Sequence, residues 1–128
     1  RVAARAISIL SRPELAFLFQ SNSRAEVPFL LDLRRGGKPV RLVGRIDRLV
    51  IDEGRVLVVD YKSDATLPGA RESVPGNYLT QLGLYALVAG QLFPERTVEA
   101  AILWTSMESL MNLPRDLLAA ATAEFTLG

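Results

Sequence analysis

The apolar run Val56–Val59 is built for burial, yet it continues into "DYKSD", which puts Asp60, Lys62 and Asp64 at alternate positions. Successive side chains on a strand point to opposite faces, so Asp60 and Lys62 share one face while Val59 and Tyr61 share the other. Any fold for this chain must bury that strand and still give its charged end something to face.

The flanking pattern predicts how. "EVPFLLDL" and "PVRLVGRIDRLVI" read as strands joined through "RRGGK", where paired glycines invite a reversal. "DEG" at 52–54 makes the next tight turn into "RVLVVDYK", which predicts a three-stranded meander. From Ser63 to about Pro75 prolines and glycines break any regular period, so a loop is expected. In "NYLTQLGLYALVAGQLF", Tyr78, Gln81, Leu82 and Tyr85 recur at helical spacing and Leu84, Leu87 and Val88 supply a buried stripe, predicting a helix over 76–91. "VEAAILWT" at 98–105 is an interior strand, with Trp104 at its end as core packing. Pro114 suits the first turn of a last helix running to about Phe125. Upstream, "VAARAISIL" has helical composition, "SRPE" offers a capping box with Ser11 as N-cap and Glu14 three residues later, predicting a second helix to Phe19, and "SNSR" at 21–24 reads as a loop. The expected class is α/β: a mixed sheet of about four strands flanked by helices, in the order α, three strands, α, β, α.

The 128 residues suit a single domain. No apolar run approaches the roughly 18 residues of a membrane span, and the opening residues lack the pattern of a signal peptide. The absence of Cys excludes disulfides, thiolate zinc sites and cysteine-ligated iron–sulfur clusters, and a cytoplasmic setting is expected. The chain starts at Arg1 and its methionines are Met107 and Met111, so we read it as a piece of a longer protein. Net charge is only +1, but Arg24 to Arg71 holds ten basic against seven acidic residues, a mild positive bias that ordinary solvated strand faces also produce.

Four segments carry chemistry: Glu26 in "EVPF", Asp47 in "GRID", Asp60 with Lys62 in "DYK", and Gln81 with Tyr85 in "QLGLY". Asp47 and Asp60 lie on strands joined by the turn at 52–54, so pairing brings them close, and two adjacent carboxylates repel unless a cation sits between them. Hard divalent cations such as Mg²⁺ take such oxygen ligands. Lys62, on the same face as Asp60, would orient or deprotonate a water, or neutralise charge building on phosphorus. The competing reading is structural: Lys62 neutralises Asp60, and Asp47 pairs in solvent with Arg45 or Arg48 for about 0–1 kcal/mol.

The succession "GRIDRLVIDEGRVLVVDYKSD", then "YLTQLGLYALV", resembles the RecB-type branch of the PD-(D/E)XK nuclease superfamily, with its G-x-x-D, hydrophobic-D-Y-K and Q-x-x-x-Y elements, and "EVPF" resembles that branch's early acidic strand. The likeness covers about residues 24 to 105 and is strongest toward the C-terminal nuclease domains of helicase–nuclease subunits that process double-strand breaks. It implies a restriction-endonuclease-like core and Mg²⁺, with Mn²⁺ substituting, acting on DNA. Asp47 and Asp60 would be metal-binding carboxylates, completed by the main-chain carbonyl of Tyr61, and Lys62 the catalytic lysine. Gln81 and Tyr85 would border the site and contact DNA or the water network; Glu26 would bind metal directly or through water; Arg45 and Arg48 are candidate phosphate contacts. The expected activity is a Mg²⁺-dependent exonuclease within an ATP-dependent helicase–nuclease, whose partners would be the rest of the helicase chain and a partner subunit. Two features depart from the pattern. The upstream histidine ligand common in this branch is missing, because the chain has no His, so it either precedes Arg1 in the parent or is lacking. No GxxxxGK[ST] loop occurs, which puts any ATP site elsewhere in the parent. The alternatives are a non-catalytic domain that guides DNA strands and a soluble α/β domain with a surface ion-pair cluster.

Overall fold

The chain reverses where its turn signals lie. In the computed structural model, which describes residues 9, 11–64, 69 and 71–128, strands β1 (Ser23–Arg35), β2 (Lys38–Ile51) and β3 (Arg55–Lys62) form the expected antiparallel meander. Gly36 and Gly37 make the first turn with φ of 56° and 81°, values a side chain would strain. The second is closed by Asp52 N–H donating to the Arg55 carbonyl at 2.8 Å. The helix expected over 2–10, and residues 65–68 and 70 of the expected loop, lie outside the described residues.

Helix α1 (Gly76–Leu92) then carries the chain over to β4 (Thr97–Trp104), which runs parallel to β3. A parallel neighbour requires such a crossover, because a tight hairpin cannot connect strands of the same direction. β5 (Ser109–Leu113) returns antiparallel to β4, followed by α2 (Arg115–Ala121) and β6 (Phe125–Leu127), which pairs with the far edge of β1. The sheet order is β5-β4-β3-β2-β1-β6. The mixed α/β class is therefore as expected, with six strands among the described residues in place of about four.

Two expectations at the ends of helices are corrected. The segment expected as the second helix, with Ser11 as its N-cap, is a 3₁₀ helix, Pro13–Phe19, whose cap position is Arg12 in extended conformation with no side-chain cap bond. Pro13 takes the first helical position and keeps the residue before it out of the α region, which moves the start one residue along. The last helix stops at Ala121 instead of Phe125, and Phe125–Leu127 becomes an edge strand against Leu33–Arg35.

β3 is buried on both faces, as a strand central to a covered sheet must be. Val56 and Val58 pack in the larger core with Ile46, Leu49, Leu82, Val88, Ile102 and Trp104 beneath α1 and α2. Leu57 and Val59 pack on the opposite face with Leu15 and Leu18 of the 3₁₀ helix and with Val50, Ala101 and Leu103. Helices α1 and α2 touch at Gly83, where an added Cβ would sit 2.5 Å from Thr122 Cγ2 and 3.0 Å from the Leu118 carbonyl. Gly90, in the same helix, meets nothing nearer than Val98 Cγ2 at 4.0 Å. Substitution by alanine should therefore act in opposite directions at the two positions. Gly83→Ala is expected to lose about 1–3 kcal/mol through overpacking, and Gly90→Ala to gain about 0.5–1 kcal/mol through helix propensity, both read from urea unfolding.

Candidate active site

The site begins with a change of face in β2. Ile46 and Leu49 both pack in the larger core although they are three residues apart, so the strand switches which of its alternating sets looks toward α1. Across from the switch, Glu26 adopts a left-handed backbone with φ of 50°. The β2–β3 ladder ends at the pair Arg48 and Val59; one step further Asp47 would face Asp60. There the Asp47 side chain replaces the ladder: its Oδ2 accepts the Tyr61 N–H at 2.7 Å. A backbone donor that would otherwise be orphaned thus fixes the carboxylate beside its neighbour.

Asp60 is 3% exposed, at the carboxyl end of β3. Its pKa is pushed up to about 6, first by burial and further by the adjacent Asp47 carboxylate, while Lys62 opposes the rise. Lys62 Nζ lies 2.7 Å from Asp60 Oδ2. Apart from that ion pair, the buried Oδ2 accepts no hydrogen bond. Lys62 also donates to Gln81 Oε1 at 2.6 Å, and Gln81 Nε2 donates to the Tyr85 hydroxyl at 2.9 Å. An ammonium only donates, so it fixes the amide orientation and turns the Gln81 NH₂ toward Tyr85. Burial, with added repulsion from Asp60 and Asp47, raises the Tyr85 pKa against the opposing Gln81 bond, so the phenol keeps a proton to give. Its ring is held edge-on by Phe29 at 5.4 Å.

Asp47, Asp60, Lys62, Gln81 and Tyr85 are thus brought together on one side of the sheet, with the Tyr61 peptide between the two carboxylates and its N–H on Asp47. A groove of about 300 Å³ lined by Phe29, Gly44, Asn77, Gln81 and Tyr85 opens beside them. A larger hollow of about 460 Å³, floored by Phe17 and Leu57, belongs to the opposite face and holds none of these groups. Other candidates are not gathered. Glu26 is 77% exposed and pairs with Arg45 at 3.7 Å, and among the described residues no third acidic side chain joins Asp47 and Asp60. Arg48, a candidate for phosphate contact, instead serves the smaller core: it donates to the Tyr61 hydroxyl and to Ser23 Oγ and stacks over Phe19 at 4.6 Å. The face switch in β2 is the reason, since it turns Asp47 one way and Arg48 the other.

Two further residues line the site. Tyr78 puts its ring 4.4 Å from Lys62 Nζ and donates its hydroxyl to Asp64 at 2.9 Å. Their signals were present in the sequence as helical spacing, three before Gln81, and as strand alternation, two beyond Lys62.

Asp47 of β2 and Asp60 at the carboxyl end of β3 thus lie beside one another, with Lys62 on the same face and Gln81 and Tyr85 on the crossover helix. The profile of the PD-(D/E)XK nuclease superfamily matches residues 3–122, and the chain belongs to that superfamily. It is 36% identical over 104 residues to an ATP-dependent helicase/nuclease subunit of Desulfitobacterium hafniense (strain DSM 10664 / DCB-2), covering 77% of this chain and 8% of the relative. The same figures hold for strain Y51. A CRISPR-associated exonuclease Cas4/endonuclease Cas1 fusion of Myxococcus xanthus (strain DK1622) is 30% identical over 88 residues, 67% of this chain and 15% of that protein. The chain thus spans only a small part of these relatives. The crystal structure of SSO0001 shares the fold, with a TM-score of 0.50 and 17% identity over 95% of this chain and 64% of the other.

The raised Asp60 pKa has a consequence for stability. A carboxyl that titrates near 6 when folded, against 3.8 in the open chain, stabilises the fold while protonated. That contribution is fully present below pH 3.8 and is lost as pH rises through about 6. In metal-free buffer the unfolding free energy is expected to fall through this window by on the order of 2–3 kcal/mol relative to Asp60→Asn; denaturation at several pH values checks it, and parallel profiles for the two proteins would contradict it.

Proposed function

We propose that this chain is the single nuclease domain of an AddA-type helicase–nuclease, hydrolysing DNA phosphodiester bonds as an exonuclease during double-strand-break repair. The observation that carries the reading is the convergence of Asp47 and Asp60 beside Lys62. A structural ion pair accounts for Lys62 beside Asp60 but not for a second carboxylate, Asp47, fixed next to them.

The donor set fits Mg²⁺ or Mn²⁺. Asp60 Oδ2 is buried and short of hydrogen bonds, Asp47 is close enough to repel it, and both are hard oxygen ligands of the type these cations take, with the Tyr61 carbonyl and water to complete the shell. When bound, such a cation lowers the pKa of its water and offsets the charge that develops on phosphorus. Lys62 holds its ammonium over the same ground, where it orients the attacking water or neutralises a phosphate oxygen. Gln81 keeps the lysine turned inward, and Tyr85 offers its proton to the DNA backbone beside the groove. Arg45 is exposed on β2 and pairs with Glu26 at 3.7 Å, away from the two carboxylates.

The chain matches only 8% of the first helicase/nuclease relative, which supports reading it as one part of a longer protein acting on DNA, whose motor and ATP site would lie outside these residues and whose partner subunit would be a separate chain. No helix among the described residues is long and apolar enough to cross a membrane. A strand-guiding domain without turnover remains the second reading, supported by the basic bias between Arg24 and Arg71.

In the full-length protein, Asp60→Ala and Lys62→Ala are each expected to slow Mg²⁺-dependent release of nucleotides from end-labelled DNA by about 100- to 1000-fold while leaving ATP hydrolysis intact. A wild-type protein that binds DNA and never cuts it would favour the strand guide, and unchanged cutting by Asp60→Ala would remove the assignment.

A further inference from the structure

Lys62 is enclosed on three sides, and the sequence elements of the nuclease pattern account for only two of them. One proton of the ammonium points to Asp60 at 2.7 Å and another to Gln81 at 2.6 Å. The third side is closed by the ring face of Tyr78 at 4.4 Å, within the range where the negative face of an aromatic ring attracts a cation. That ring is itself fixed. Its hydroxyl donates to both oxygens of Asp64, at 2.9 and 3.2 Å, and the ring neighbours the fully buried Trp104 in a tilted pair at a centroid distance of 6.2 Å. Asp64 is tied in turn to the β4–β5 turn, where Ser106 Oγ donates to the Asp64 carbonyl and to that of Ser63 at 3.2 Å. The Lys62 carbonyl is anchored nearby, accepting from Thr105 N–H at 2.8 Å.

We propose that Tyr78 is the positioning residue of Lys62: its ring holds the ammonium in line with the carboxylate pair, and Asp64 holds the ring. The inference rests on the nuclease reading above and adds to it a path from the segment after β3 to the reacting centre. A lysine has four rotatable side-chain bonds and three equivalent donors, so two polar contacts on one side leave it free to swing toward solvent. An aromatic face on the remaining side removes that freedom without competing for a proton. Tyr78 touches neither DNA nor cation in this scheme. It acts through Lys62, so its loss should lower turnover and leave substrate affinity alone.

The test is steady-state cleavage of end-labelled DNA by the full-length protein with Mg²⁺. Tyr78→Leu, which removes the ring, is expected to lower kcat about 10- to 30-fold with KM changed less than about twofold. Tyr78→Phe keeps the ring and gives up only the clamp, so it should restore kcat to within about threefold of wild type. Asp64→Ala should match the Phe variant, and the double variant Tyr78→Phe with Asp64→Ala should be no slower than either single, because both remove one and the same contact. Wild-type kcat in Tyr78→Leu beside an inactive Asp60→Ala overturns the role of Tyr78 and spares the nuclease reading. Cutting by Asp60→Ala at the wild-type rate overturns both. Should Tyr78→Leu fail to fold, shown by a lost thermal transition, the Phe and Asp64 pair still decides: effects that multiply in the double variant refute the clamp.

Discussion

Asp60 sits almost wholly buried at the end of a strand that has no solvent on either face, with a second carboxylate beside it and one ammonium 2.7 Å away. Three charges so placed do not balance: two negative groups share a single positive partner in a medium that screens poorly. Burial first, and then the neighbouring Asp47 carboxylate, hold the Asp60 pKa up at about 6 against the pull of Lys62. Every nearby element either produces this imbalance or restrains it. β3 delivers Asp60 and Lys62 to one face, the face switch in β2 turns Asp47 inward, and α1 brings Gln81, Tyr85 and Tyr78 over the lysine. A protein selected for stability alone would place an apolar residue at 60.

The topology explains why the charges gather at this end of the sheet. The crossover from β3 through α1 to β4 is the parallel step in an otherwise antiparallel sheet. A helix that returns the chain to the start of a parallel strand must pass across the carboxyl end of the strand before it, which is where ligands collect in such sheets. The first turns of α1 thereby lie over Lys62, so that a tyrosine, a glutamine and a second tyrosine at spacings of three and four line up on it. The close seat of α2 against Gly83 then fixes the roll of α1 and with it the direction of those side chains.

Much of this was legible in the residues. β3 and α1 were read with their bounds nearly as observed, because a β-branched run between a turn and a charge cluster, and a long apolar helical period, are local signals. The meander followed from two turn sequences. β5 and β6 were not read, because "SLMNL" mixes polar and flexible apolar residues without alternation, and "FTL" becomes a strand only through pairing with β1 about ninety residues away in sequence. The face switch at Ile46–Asp47 was equally hidden: strict alternation sends Asp47 away from Ile46, and only the altered backbone opposite, at Glu26, lets both look toward α1. The same switch explains why Arg48 left the expected DNA face, and why Glu26, though opposite Asp47 in register, points its carboxylate into solvent.

The central claim is that the Asp47–Asp60 pair is a cation site, and anomalous diffraction from crystals of the protein grown with Mn²⁺ tests it most directly. The account predicts a manganese peak within coordination distance of both carboxylates and of the Tyr61 carbonyl, with Lys62 still held against the Tyr78 ring. Crystals in millimolar Mn²⁺ that show no peak there would contradict it.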